Sequence, residues 1–167
     1  MWQTRPPRPV ADESSERKGA RLAVKTDAVG KTYAPVTYAV GREKIKEYAA
    51  AVGETNPLHL DVAAARAAGY ADVVAPPMFA VVYQAPSVMP ALFDPEVGID
   101  FAMMVHSGQE FRWERLVVAG EELTTTTTVA AISEKGGMGF YDFEAVTRDA
   151  AGEEVVTGLW KMLVRGS

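Results

Sequence analysis

The stretch from Val73 to Phe93 carries no charged side chain, and on length alone it would span a bilayer. It also contains Pro76, Pro77, Pro86 and Pro90. Prolines remove backbone N–H donors and break helices, which leaves backbone groups that lipid cannot satisfy. The segment therefore predicts a buried core element and no membrane span.

Within this stretch a helix is predicted to begin at Pro77 and to end near Ala85, where Pro86 stops it. A helix that is apolar on every face must be enclosed by the rest of the fold. The apolar side chains that surround its axis include Met78, Phe79, Val81, Val82 and Tyr83.

The second half of the chain can supply this enclosure, because it is rich in β-branched and aromatic residues interrupted by glycine-containing turns. Short connections favour an antiparallel meander. The predicted architecture is an α+β fold in which a curved antiparallel sheet wraps one buried helix. The predicted strands are His106–Leu116, Glu122–Ser133, Phe140–Arg148 and Glu154–Arg165.

Ahead of the buried helix, the pattern predicts a short strand over Tyr38–Val40 and helices over Arg42–Val52 and Val62–Ala68. Gly53 is placed to end the first of these helices. Asp61 is placed to cap the second.

The chain has 167 residues, 48% of them hydrophobic, which is the size and composition of one globular domain. Residues 1–26 differ, since few apolar groups there are spaced to bury anything. We predict a flexible tail over 1–26 and a single domain over 27–167.

Composition also excludes several functions. The absence of cysteine excludes disulfides, thiolate metal sites and a thiol nucleophile, and two histidines make a histidine-rich metal site implausible. A net charge of −5 argues against binding to a nucleic-acid backbone. The first residues lack the apolar run of a secretory signal, so we expect a cytoplasmic protein.

The loop from Gly53 to Asp61 brings a carboxylate, an amide and an imidazole within six residues, as Glu54, Asn56 and His59. A carboxylate and a histidine that converge on one water can remove its proton and return one to carbon, without metal or cofactor. Spacing alone leaves a second interpretation open, in which Glu54 is solvated, Asn56 caps the loop and His59 is only packed.

The segment Glu54–His59 resembles the hydratase motif of the MaoC-like family, which reads Asp-x-Asn-Pro-x-His. The resemblance extends in order from about Asp27 to Arg165. The further segments that resemble the N-terminal-type MaoC dehydratase branch are Gly41–Ala49, Ala63–Tyr70, Val74–Phe79 and His106–Phe111, the last leading to Ala119-Gly120-Glu121.

This resemblance implies a hot-dog fold and a cofactor-independent hydro-lyase that acts on trans-2-enoyl or (R)-3-hydroxyacyl thioesters. It implies that Glu54 and His59 are the catalytic pair. Asn56, Met78 and Phe79 are predicted as substrate-binding residues, Asn56 by fixing the loop and Met78 and Phe79 by lining an acyl tunnel. Glu54 stands where the family has an aspartate.

Pro77 stands where catalytic relatives have a glycine, whose amide would face the thioester oxygen. Because proline has no N–H, the amide of Met78 is expected to donate instead.

The implied partners are an acyl thioester of coenzyme A or of acyl carrier protein, and a second copy of the chain in a homodimer. Two other functions stay open at this point. One is a non-catalytic acyl-binding subunit that pairs with a second MaoC-like chain. The other is a hot-dog thioesterase, which the Asn-Pro-x-His motif disfavours.

Overall fold

The structure is a computed structural model that describes residues 24–165. The predicted tail over 1–26 lies outside these residues except for its last three. The described chain forms five strands, β1 to β5, and four α-helices, α1 to α4, joined in places by short 3-10 turns. The strands are Val36–Ala39, Met104–Trp113, Glu122–Lys135, Met138–Arg148 and Glu154–Arg165, and the helices are Arg42–Ala51, Pro57–Leu60, Val62–Ala67 and Ala80–Leu92.

All strand pairs are antiparallel, and the order across the sheet is β1-β3-β4-β5-β2. Along β4 and β5 the side chains alternate between buried and partly exposed, because one face of the sheet covers α4. Irregularities in register beside Gly108 and Ala130 add bends to the long strands. This is the predicted curved sheet around a buried helix, a hot-dog fold.

The expectation of a four-strand meander is only partly correct. Strands β3, β4 and β5 follow one another, but β2 lies beyond β5 and does not touch β3. The strand predicted over His106–Leu116 is observed as Met104–Trp113, so it ends three residues earlier than predicted. The reason is that the following connection pairs elsewhere: Ala75 donates to the Val117 carbonyl at 2.8 Å and Ala119 to the Val73 carbonyl at 3.0 Å.

The predicted end of the buried helix at Ala85 is wrong. Pro77–Phe79 forms a 3-10 turn, and α4 then runs from Ala80 to Leu92 through Pro86 and Pro90. Each internal proline costs a helical hydrogen bond. The helix continues because the side chains after Pro86 are enclosed by the sheet, and their burial favours the helical conformation. Those side chains are Val88, Ala91 and Leu92, at 0%, 0% and 5% exposure.

A polar network joins the middle of α4 to the sheet. The Gln84 side chain donates to the Ala145 carbonyl and to Thr147, and accepts from Trp160 Nε1 at 3.0 Å. Ser87 is bonded to Thr127 at 2.8 Å. These buried groups all have partners, so they fix the position of the helix over the strands without the cost of an unpaired polar atom.

No helix among residues 24–165 has the length and apolar character needed to cross a bilayer.

Candidate active site

The candidate site begins where α1 ends. The last turn of α1 is followed by Gly53, whose φ of +72° suits a glycine and reverses the chain. The amide of Glu54 then donates to the Ala49 carbonyl at 2.8 Å. Helix α1 therefore fixes the position of the Glu54 backbone.

The Glu54 carboxylate turns back on its own loop. Its Oε1 atom accepts hydrogen bonds from the amides of Thr55 at 2.8 Å and Asn56 at 2.9 Å. These two bonds, with a smaller contribution from nearby His59, lower the pKa of Glu54 below its ordinary value. Glu54 is therefore ionised at neutral pH, and its second oxygen is available to accept a proton.

Asn56 has a local role. It is the N-cap of the short helix α2, and its Oδ1 accepts from the Leu58 amide at 3.1 Å. Pro57 occupies the first helical position, where its missing N–H is not needed. The cap predicted for Asp61 is also present, since its carboxylate accepts from Ala63 at 2.7 Å.

His59 lies in α2 and is 7% exposed. Its Nδ1 atom is 2.7 Å from the carbonyl oxygen of Val74. A carbonyl only accepts hydrogen bonds, so Nδ1 must carry the proton and donate it. In the neutral imidazole this leaves the lone pair on Nε2, which has no hydrogen-bond partner among residues 24–165. His59 is thus oriented with one ring nitrogen free to accept a hydrogen bond, in the electrostatic range of Glu54.

The segment just before Val74 is held by residues that sequence reasoning did not single out. Arg42, the first residue of α1, donates from Nε and Nη2 to the two oxygens of Asp72 at 2.8 and 2.5 Å. Asp72 Oδ1 also accepts from the Val73 amide at 2.8 Å. Arg42 and this amide lower the pKa of Asp72 to about 2. An isolated arginine and aspartate, separated by 30 positions, give no signal in a single sequence.

The other predicted site residues lie at the start of the buried helix. Met78 is 48% exposed and Phe79 is fully buried. The Phe79 ring packs edge-on against Tyr48 at 5.4 Å and lies 6.1 Å from Tyr83, so its contacts in this structure are core contacts. Met78 is the first residue of the turn with an amide to donate, because Pro77 has none.

His106 lies apart from the loop. It is on the edge strand β2, where its ring stacks on Trp160 at 5.4 Å and its Nε2 is 3.1 Å from Gln109 Oε1. Arg112 and Arg115 are both engaged by carboxylates, Arg112 with Glu154 at 3.0 Å. In the part of the chain described, no three carboxylate or imidazole groups gather as a metal site would require.

An antiparallel sheet wrapped around one buried helix is the hot-dog fold, and this chain is a hot-dog protein of the MaoC-like dehydratase type. The family model of the FAS1-like dehydratase domain region matches residues 27–158. The chain belongs to this family.

Similar proteins include curated relatives and solved structures. A UPF0336 protein of Leifsonia xyli subsp. xyli is 48% identical over 82% of this chain and 93% of its own length. A solved MaoC-like dehydratase superposes with a TM-score of 0.77 at 32% identity. The match covers 84% of this chain but only 43% of that one, so this chain spans less than half of it.

A second solved structure is that of the C-terminally truncated HadBC complex, a 3R-hydroxyacyl-ACP dehydratase from Mycobacterium tuberculosis. It matches with a TM-score of 0.74 at 27% identity, covering 84% of this chain and 99% of that one.

Proposed function

We propose that this protein is a cofactor-independent hydro-lyase that adds water to trans-2-enoyl thioesters or removes it from (R)-3-hydroxyacyl thioesters. Two observations support the proposal: Glu54 is ionised with His59 near enough to lower its pKa, and the Nδ1 atom of His59 is committed to Val74. This leaves Nε2 of the neutral imidazole as a hydrogen-bond acceptor within electrostatic range of the Glu54 carboxylate. Such a pair can bind one water between them and move its protons.

In the hydration direction, the water oxygen forms a bond to C3 of the enoyl thioester while Glu54 and His59 hold its two hydrogens. One proton passes to the pair and one is returned to C2, so the thioester gains the elements of one water. In the dehydration direction the C2 proton and the C3 hydroxyl leave by the reverse path. The buried imidazole and the loop-bound carboxylate are fixed before the substrate arrives, which lowers the cost of reaching the transition state.

The thioester oxygen becomes enolate-like as C2 and C3 react, and donors must be in place to stabilise it. The exposed turn at Met78 offers its amide for this role, because the first amides of a helical turn have no partner within the turn. Asn56 supports the reaction by capping α2 and so fixing His59, and Phe79 supports the turn from the core.

The substrate carrier is coenzyme A or acyl carrier protein, and the active form is a homodimer. Strand β2 is at one edge of the sheet, and its outer backbone groups have no neighbour among residues 24–165. An open edge of this length is normally covered. Val105 on this strand is 45% exposed, which suits a second copy of the chain placed alongside it.

The competing function is that of a non-catalytic acyl-binding subunit in a heteromeric dehydratase. The observation that favours it is the similarity to a chain from the HadBC complex. The glutamate in place of aspartate is compatible with a chain that binds the acyl group while a partner performs the chemistry.

The test is the loss of enoyl absorbance when the purified protein is mixed with crotonyl-CoA, and separately with a medium-chain enoyl-CoA, alongside His59→Ala. Turnover that disappears in the variant supports the hydro-lyase. Absence of turnover on both substrates by the unmodified protein, with activity restored by a second MaoC-like chain, supports the subunit function.

A further inference from the structure

The ion pair between Arg42 and Asp72 lies outside the candidate site but is connected to both ends of it. Arg42 opens α1, the helix whose last turn accepts the Glu54 amide through Ala49. Asp72 lies two residues before Val74, whose carbonyl accepts from His59. One rigid helix thus links the carboxylate loop to the segment that orients the imidazole.

The connection from Asp72 to His59 is short and buried. Asp72 Oδ1 accepts from the Val73 amide, and both Val73 and Val74 are 0% exposed. Val74 then donates to the Leu58 carbonyl at 2.9 Å and accepts from His59 Nδ1 at 2.7 Å. Because the residues between Asp72 and the imidazole are buried and hydrogen-bonded, we expect a displacement of Asp72 to be transmitted to His59.

The geometry of the pair suits precise positioning. The contact between Arg42 and Asp72 is bidentate, and a planar guanidinium matches a carboxylate in both distance and orientation. A lysine in place of Arg42 keeps the charge but loses this geometry. The Asp72 side chain is only 12% exposed, so solvent screens the pair weakly on that side.

We propose that Arg42 and Asp72 are positioning residues that set the tautomer of His59 and its distance from Glu54. This inference rests on the proposed hydro-lyase function for its effect on rate, and on the structure alone for its effect on the imidazole. Backbone bonds of Val73 and Ala75 to Ala119 and Val117 also hold this segment, so removal of the bidentate contact loosens only its Asp72 end. We expect this to shift the Val74 carbonyl relative to Nδ1 and to admit the second tautomer of His59.

The experiment compares Asp72→Asn and Arg42→Lys with a matched control, Asp94→Asn. Asp94 is paired with Lys31 at 2.6 Å and has a pKa lowered to about 2, as Asp72 has, but belongs to neither the loop nor the Val74 segment. The ¹⁵N chemical shifts of the imidazoles report the tautomer directly. With only two histidines in the chain, a His106→Gln variant completes the assignment.

We expect His59 to be protonated on Nδ1 in the unmodified protein and in Asp94→Asn. In Asp72→Asn and Arg42→Lys we expect a mixture of the two tautomers. In Asp72→Asn and Arg42→Lys the kcat for crotonyl-CoA is expected to fall roughly ten- to a hundredfold, while KM stays within about twofold of the unmodified value. Arg42→Lys, which keeps its charge, serves if Asp72→Asn does not fold.

Unchanged His59 shifts in Arg42→Lys and Asp72→Asn would overturn the positioning role, whatever the activity. Equal losses of kcat in Asp94→Asn would also overturn it, since a general loss of stability would then explain the effect. Failure of the hydro-lyase function has a different signature, because the unmodified protein would then show no turnover while the tautomer response remained.

Discussion

The imidazole Nδ1 of His59 lies 2.7 Å from the carbonyl oxygen of Val74, and this contact assigns the imidazole its proton. An asparagine at position 59 places its amide nitrogen near the same point but has no counterpart of Nε2. We predict that His59→Asn unfolds in urea with a free energy close to that of the unmodified protein. His59→Ala loses about 1–3 kcal/mol, because the buried carbonyl is left without a donor. Equal losses in the two variants would contradict the assigned hydrogen bond.

Glu54→Gln keeps an oxygen that accepts from Thr55 and Asn56 but cannot take a proton. We expect the rate of crotonyl-CoA hydration to fall about 10²- to 10⁴-fold with little change in thermal stability. The lowered pKa of Glu54 means that this loss is present across the neutral range. The matched control is Asp61→Asn, which retains an N-cap acceptor for Ala63 and is expected to stay within about twofold of the unmodified rate. A similar loss in both variants would argue against a specific role for Glu54.

The Asp72 carboxylate predicts a defined pH dependence of stability. Its pKa is lowered from 3.8 to about 2 in the folded chain, so ionisation stabilises the fold. That contribution is complete above the unfolded pKa and is lost as the pH falls through the folded pKa. The difference in unfolding free energy between the unmodified protein and Asp72→Asn is therefore largest above about pH 4 and shrinks toward about pH 2. Urea titrations at several pH values measure it, and a constant difference would contradict the ion pair.

Gly158 on β5 lies against the Gln84 side chain. A Cβ atom there would sit 2.2 Å from Gln84 Oε1 and 2.9 Å from the ring of Phe111. We predict that Gly158→Ala destabilises the protein by about 1–3 kcal/mol through overpacking. Gly108 is the control, because its Cβ would meet only Lys161 at 3.5 Å. Thermal unfolding of the two alanine variants gives the comparison, and equal melting temperatures would contradict the described contact.

The edge position of β2 predicts self-association. We expect the purified chain to sediment at twice its 18.0 kDa mass, and Val105→Lys on the exposed edge to weaken the dimer. A chain that sediments as a monomer, and dimerises only with a second MaoC-like protein, would favour the heteromeric alternative.

The local patterns of the sequence were sufficient for most of the fold. The strand from Glu154 to Arg165 and the helix beginning at Arg42 are where alternation and three- to four-residue spacing predict them. The end of α4 was not predictable, because the cost of Pro86 is local while the burial of Val88 and Leu92 depends on the sheet.

The site divides in the same way. The roles of Asn56 and Asp61 as caps are short-range and follow from residue type and position. The hydrogen bond from His59 to Val74 and the contact of Arg42 with Asp72 join segments that only the folded chain brings together. The catalytic assignments of Glu54 and His59 came from family resemblance and stay predictions until activity is measured.

The most direct test is the initial rate of crotonyl-CoA hydration by the unmodified protein, His59→Asn and Asp61→Asn under one set of conditions. We predict clear turnover by the unmodified protein and by Asp61→Asn, and a loss of about 10²-fold or more in His59→Asn despite its intact fold. Turnover that persists in His59→Asn would contradict the central role of the His59 Nε2 atom.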